Sequence, residues 1–210
     1  MKVKLIDYTK NGIDKIARMG RSTKLGYLPE KWDDAWGARE KFVGALMSVG
    51  HLGILEHVVF TFHVSGISRN LTHQLVRHRL ASYLQQSNRS VQPERDDFVI
   101  PPTVAKTVHE TQHYKEWMQG QWDSYQNMIK MGIPVEDARY LLPSGYFTHI
   151  AITMNARQLL HFFELRCHKS AQWEIRNMAG IMLEICYEEC PIIFGDLWQE
   201  YGADIKAMEN

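Results

Sequence analysis

The chain has 210 residues, 45% of them apolar, with 24 Lys plus Arg balanced by 24 Asp plus Glu. That length buries roughly 70% of the unfolded surface, so a single domain spanning residues 1–210 needs no disulfide or metal to fold. The zero net charge argues against general binding to nucleic acid, where affinity comes from neutralising phosphates, but leaves room for a local basic site for a small anion.

Val3 to Tyr8 reads as a short strand, and Asn11 to Arg21 as a helix followed by a turn-rich stretch through Gly37. The start of the chain has no apolar core of signal-peptide length, and no later segment reaches the roughly 18 apolar residues of a membrane span. No membrane partner and a cytoplasmic location are therefore expected. Arg39 to Val49 has helical spacing. Val58 to Val64, β-branched and aromatic, predicts a strand, after which Ser68 stands where a helix N-cap belongs, with Leu71, Leu75 and Val76 forming an apolar stripe. The polar stretch Leu80 to Pro93 reads as a loop.

Thr103 to Met131 predicts a long amphipathic helix ended by Gly132 and Pro134, and Pro134 to Leu142 a short one. Phe147 to Met154 is strand-like. Asn155 to His168 and Ser170 to Glu189 predict two further helices, with Pro191 stopping the second. The three cysteines, Cys167, Cys186 and Cys190, are too few for a secreted disulfide framework and read as buried thiols. With no repeat or linker, the pattern predicts one α+β domain of helices packed with an antiparallel sheet.

Charge is distributed unevenly. Between His57 and Glu94 there is no Asp, Glu or Lys, yet the span holds Arg69, Arg77, Arg79 and Arg89 together with His63, His73 and His78. Arginine's planar fork suits two-pronged contact with phosphate or carboxylate, which points to an anion site. The alternative is that Arg77, His78 and Arg79 merely sit at a helix C-terminus, where cations suit the dipole. A second polar cluster, Asn155, Arg157, His161, Glu164 and Arg166, lies on one predicted helix. Arg157, His161 and Glu164 share a face there, and Arg166 projects from nearly the opposite side. A solvated surface network would give the same spacing.

Arg77-His78-Arg79-Leu80-Ala81-Ser82, continuing to Ser87 and Arg89, resembles the signature of the flavin-dependent thymidylate synthases. Glu56-His57 with Val58 to Phe62, Asp137 to Pro143, Asn155-Ala156-Arg157, Leu165-Arg166 and Ala171 to Ile175 are similar to further blocks of that family in the same order. The resemblance implies a homotetramer with sites at subunit interfaces. It assigns His57, Arg77, His78, Arg79, Asn155, Arg157 and His161 to FAD. It assigns Gln74, Gln85, Gln86, Ser87, Asn88, Arg89, Arg139 and Arg166 to dUMP, with Ser87, Arg89 and Arg166 nearest the chemistry. Methylenetetrahydrofolate would give the carbon, NADPH the reducing equivalent through FAD, and dTMP would be the product; no metal is implied.

Two residues depart from the family pattern. Leu84 stands where Asn or Ser is common, and Ser90 where an aromatic Tyr is common, which keeps open a variant that methylates or hydroxymethylates a related pyrimidine nucleotide. Other readings are an RNA-binding module using the basic helix with Tyr83, and a zinc hydrolase built on His161, Glu164, Cys167 and His168. The first wants more exposed aromatics, and the second lacks a His-Glu-x-x-His helix.

Overall fold

The structure, a computed structural model, describes residues 1–209, with side chains through Ala207. Its strands are β1 (Lys2–Tyr8), β2 (Val59–Ser68), β3 (Ala81–Gln85) and β4 (Phe147–Asn155), forming one antiparallel sheet in the order β1-β2-β4-β3. The helices are α1 (Gly12–Leu25), α2 (Arg39–Ser48), α3 (Arg69–Leu75), α4 (Val108–Lys130), α5 (Val135–Ala138), α6 (Ala156–Arg166), α7 (Trp173–Glu189) and α8 (Pro191–Glu209). The α+β class expected from the sequence is the class observed. No helix among the described residues is long and apolar enough to cross a membrane.

Two compact units are present, each with its own core. The first comprises Met1–Lys2, His63–Arg77 and Tyr83–Ala151, and the second Val3–Phe62, His78–Ser82 and Ile152–Asn210. In the first, Phe98, Met118 and Tyr146 form a buried cluster flanked by Tyr114, Trp122 and Leu142, and the Tyr146 hydroxyl donates to the Met118 carbonyl at 2.8 Å. In the second, alternate residues Phe60 and Phe62 of β2 are fully buried, as period-two patterning requires. Phe60 stacks on Tyr8 and meets Phe194 edge-on.

The sequence reading and the structure differ most at four places. The segment read as a loop from Leu80 contains β3, at the edge of the sheet beside β4, which supplies the backbone pairing that polar side chains concealed. The helix placed at Thr103 begins at Val108, because Thr107 caps it: its hydroxyl accepts from the Glu110 amide at 3.1 Å and donates to that residue's carboxylate at 3.0 Å. The stretch from Pro134 to Leu142 divides into α5 and a single 3₁₀ turn at Arg139–Leu141. Pro191 does stop α7, but it also opens α8, since a first-turn proline sacrifices no helical hydrogen bond.

β2 runs on to Ser68, and two strands pass straight into helices through side-chain caps. The Ser68 hydroxyl accepts from the Leu71 amide at 3.1 Å, and Asn155 Oδ1 from the Gln158 amide at 2.9 Å. These junctions hold Arg69 at the first position of α3 and Arg157 at the second of α6.

Candidate active site

In the first unit, the turn after β3 is fixed from behind. Gln85 Nε2 donates to the Thr72 hydroxyl at 3.0 Å and to that of Thr148 at 3.3 Å, and the Gln86 amide donates to the His149 carbonyl at 3.0 Å. Arg69 Nη2 donates to the Gln86 carbonyl at 2.9 Å and to Asn88 Oδ1. The Ser87 hydroxyl accepts from the Arg89 amide at 3.2 Å, while the Ser87 carbonyl accepts from the Val91 amide at 3.0 Å. The result is a tight turn that presents Ser87, Arg89 and Ser90 to solvent.

Those three side chains line a cleft of about 370 Å³, closed on the other side by Pro134, Val135 and Glu136. Arg89 Nη2 lies 2.9 Å from Glu136 Oε2, with both side chains at least half exposed, so the pair is worth little and is readily exchanged for another anion. Arg139 Nε donates to the Glu136 carbonyl at 3.0 Å, leaving its charge without a carboxylate partner among the described residues. Gln74 is half-buried on α3 and Arg77 is exposed; no hydrogen bond among the described residues brings either to the cleft.

Arg69 stands among the cations of the sequence without an expected site role. Its guanidinium is held below the usual arginine range, first by burial and then by the charge of Arg139, and its Nε is buried without a hydrogen-bond partner among the described residues. The sequence does carry a signal for it. An arginine directly after an N-cap meets the positive end of the helix dipole, a placement that needs another reason.

In the second unit, Arg166 Nε donates to His78 Nε2 at 3.0 Å across 88 positions of chain. The His78 ring is 7% exposed and stands edge-on to Phe162, with centroids 5.0 Å apart, and 6.3 Å from the His161 ring. Burial, then Arg166, then His161 push its pKa down to about 4. The donated bond assigns the lone pair to Nε2 and the ring proton to Nδ1. His78 therefore orients Arg166 without neutralising it.

This arrangement fixes the sign of a pH effect. A histidine whose folded pKa lies below its ordinary 6.5 binds more protons when unfolded, so its contribution to stability is complete above 6.5. It is lost progressively as pH falls toward about 4. Thermal melting is expected to show a decline over that window, at most about 3 kcal/mol from this group. His78→Gln should flatten it; an equally steep decline in the variant would assign the effect elsewhere.

The remaining sequence-derived residues divide by element. Arg157 Nη1 pairs with Glu56 Oε1 at 2.6 Å, bringing α6 beside the turn that carries His57, whose side chain is exposed and whose carbonyl accepts from Lys15 Nζ at 3.0 Å. Asn155 spends its oxygen on the α6 cap. His161 lies 4.0 Å from Glu164, at the limit of an ion pair. Arg79 is exposed, and its side chain makes no hydrogen bond or ion pair among the described residues, as is true of Arg77.

The alternatives gain no support. The Tyr83 hydroxyl donates to the Leu75 carbonyl at 2.8 Å, which ties down the aromatic an RNA module would use. Burial pushes the Cys167 thiol up to about 12 and the Cys190 thiol to about 11, and raises Cys186 well above its ordinary value. Thiols so placed are poor nucleophiles and poor metal ligands. Among the described residues no three His, Cys, Asp or Glu side chains converge as a metal site.

A sequence profile of the family described as "Thymidylate synthase complementing protein" matches residues 4–192. A protein of Geobacter sulfurreducens named "Flavin-dependent thymidylate synthase" is 43% identical over 206 residues, covering 93% of this chain and 86% of its own. One of Saccharolobus solfataricus with the same name is 42% identical, covering 91% and 75%. One of Clostridium tetani is 40% identical, covering 92% and 85%. This chain belongs to the flavin-dependent thymidylate synthase family. In this flavin-dependent thymidylate synthase family member, the exposed Arg77 and Arg79 and the cleft at Ser87 and Arg89 are chemically suited to anionic groups.

Proposed function

We propose that this enzyme converts dUMP to dTMP, with methylenetetrahydrofolate as carbon donor and NADPH as reductant. The observation that carries the reading is the turn at Ser87, which offers a hydroxyl and Arg89 in an open cleft while every thiol among the described residues is buried. A pyrimidine here is activated by charge stabilisation instead of attack by cysteine. Arg77, His78, Arg79, His57, Asn155, Arg157 and His161 hold FAD; the guanidiniums of Arg77 and Arg79, which pair with no side chain among the described residues, fit its pyrophosphate, and Asn155 keeps its amide nitrogen for the cofactor. Reduced FAD supplies the hydride when bound. A homotetramer with sites at subunit interfaces lets each site draw on several chains.

The residues of the chain place and polarise the nucleotide. Arg89 and Arg139 take the phosphate, Gln74, Gln85 and Gln86 border the base, and Asn88 with Gln86 fixes the turn through Arg69. Arg166 stabilises charge that builds on the pyrimidine when ring carbon 5 becomes the nucleophile. Its partner His78 is neutral, so the guanidinium keeps its full charge and, among the described residues, four of its five N–H groups for the ring.

The reaction is tested by incubating the protein with dUMP, methylenetetrahydrofolate, FAD and NADPH and weighing the nucleotide. A gain of one methylene supports the reading, and an unchanged mass with dUMP still bound counts against it. Arg69→Ala leaves the Gln86 carbonyl and Asn88 without their donor, which costs the turn about 1–3 kcal/mol of stability and is expected to weaken dUMP binding measured by calorimetry. Unaltered binding would remove Arg69 from this role.

One observation favours a second reading. Ser90 lines the cleft, where its hydroxyl adds polar surface and room. A hydroxymethylated product, or a related pyrimidine nucleotide as substrate, suits such a wall. Ser90→Tyr is expected to tighten dUMP binding if the wall is merely depleted; equal affinity in both forms would sink that idea.

A further inference from the structure

We propose that the first turns of α4 carry a surface site for a tetragonal divalent transition-metal ion, Cu²⁺ or Ni²⁺, with His109 and His113 as its protein ligands. The two residues are one helical turn apart, and both are exposed. Their Nε2 atoms face each other at 3.0 Å, with ring centroids 4.3 Å apart and planes at 85°. A mutual hydrogen bond satisfies only one proton count, whereas an ion between the rings uses both lone pairs.

The separation selects the geometry. Two nitrogens each about 2.05 Å from one ion sit about 2.9 Å apart at a right angle and about 3.3 Å apart at the tetrahedral angle. The observed spacing matches the right angle, and nitrogen ligands in that geometry favour copper and nickel over zinc.

The surroundings fit as well. His113 Nδ1 faces Glu116 Oε2 at 3.3 Å, and Glu116 Oε1 is held by Gln112 Nε2 at 2.9 Å. A carboxylate on the far nitrogen of a ligating imidazole fixes the ring and raises its basicity. Glu116 also offsets the encounter of a dication with the positive end of the helix dipole. No third side chain joins the pair among the described residues, so water completes the coordination.

The other close histidine pair, His63 and His149, lacks these features. It pairs Nε2 with Nδ1 at 3.3 Å and meets no carboxylate in an ion pair among the described residues. It serves as the internal control.

The test is titration of the untagged full chain with Cu²⁺, followed by tryptophan emission. The His113 ring stacks on Trp117, with centroids 6.2 Å apart, so a paramagnetic ion bound there quenches that indole. One equivalent is expected to quench emission in the native sequence and not in Trp117→Phe. The affinity should fall at least tenfold in His109→Ala and in His113→Ala, and about tenfold in Glu116→Gln. His63→Ala should keep the native curve. Native stoichiometry and affinity in the His109→Ala/His113→Ala double variant would overturn the proposal, as would loss of binding confined to His63→Ala.

Discussion

Replacing Arg166 with alanine is expected to lower kcat by about 10²–10³ while leaving the fold intact, the usual cost of removing one donor aimed at developing charge. Arg166 closes α6, is half-buried, and its one described side-chain bond is to a neutral imidazole. A carboxylate there would have neutralised the guanidinium, which the imidazole does not. Arg166→Lys separates the two contributions, because lysine restores the charge but not the planar fork. Partial recovery of kcat with an unchanged KM for dUMP would mark charge as the larger part. A raised KM at native kcat in Arg166→Ala would reduce the residue to a binding contact.

The largest effect on stability is expected from Phe162→Ala, at about 3–5 kcal/mol, the range for emptying a buried phenylalanine site. Phe162 is fully buried, 5.6 Å from the Phe163 ring and 5.0 Å from His78. For a chain of this size each kcal/mol moves Tm by about 2–4 °C, so melting should fall by roughly 6–20 °C. The cavity also admits water beside His78, which lets the imidazole accept a proton more easily. The acid-induced loss of stability should therefore shrink even as the protein weakens. A melt at pH 8 and another at pH 5 measure both, and an equal pH dependence in the two proteins would show that Phe162 does not keep His78 dry.

The strands and helices that depend on local chemistry were legible in the sequence. β2 announced itself through alternating phenylalanines, and α3 through Ser68 followed by an apolar stripe. β3 was not, because Ala81 to Gln85 forms a strand only through a neighbour far along the chain, and its outward Leu84 and Ser82 gave no alternation of apolar and polar residues. α8 was hidden by a residue with two meanings: a proline ends one helix and begins the next equally well.

The site shows the same division. The residues from Arg77 to Arg89 could be gathered by motif, since their spacing carries the resemblance. The bond between His78 and Arg166 could not, because nothing local records a contact over 88 positions. The resemblance places His78 with the cofactor and Arg166 with the nucleotide, and the hydrogen bond links the two within one chain.

The three cysteines have a use that the chemistry leaves free. Cys167, Cys186 and Cys190 all belong to the second unit and are at most 6% exposed. A thiol in that position reacts with a soluble disulfide reagent only while the surrounding helices are transiently open. Chromophore release under native conditions would thus act as a stopwatch on that opening, read without denaturant and without any engineered label.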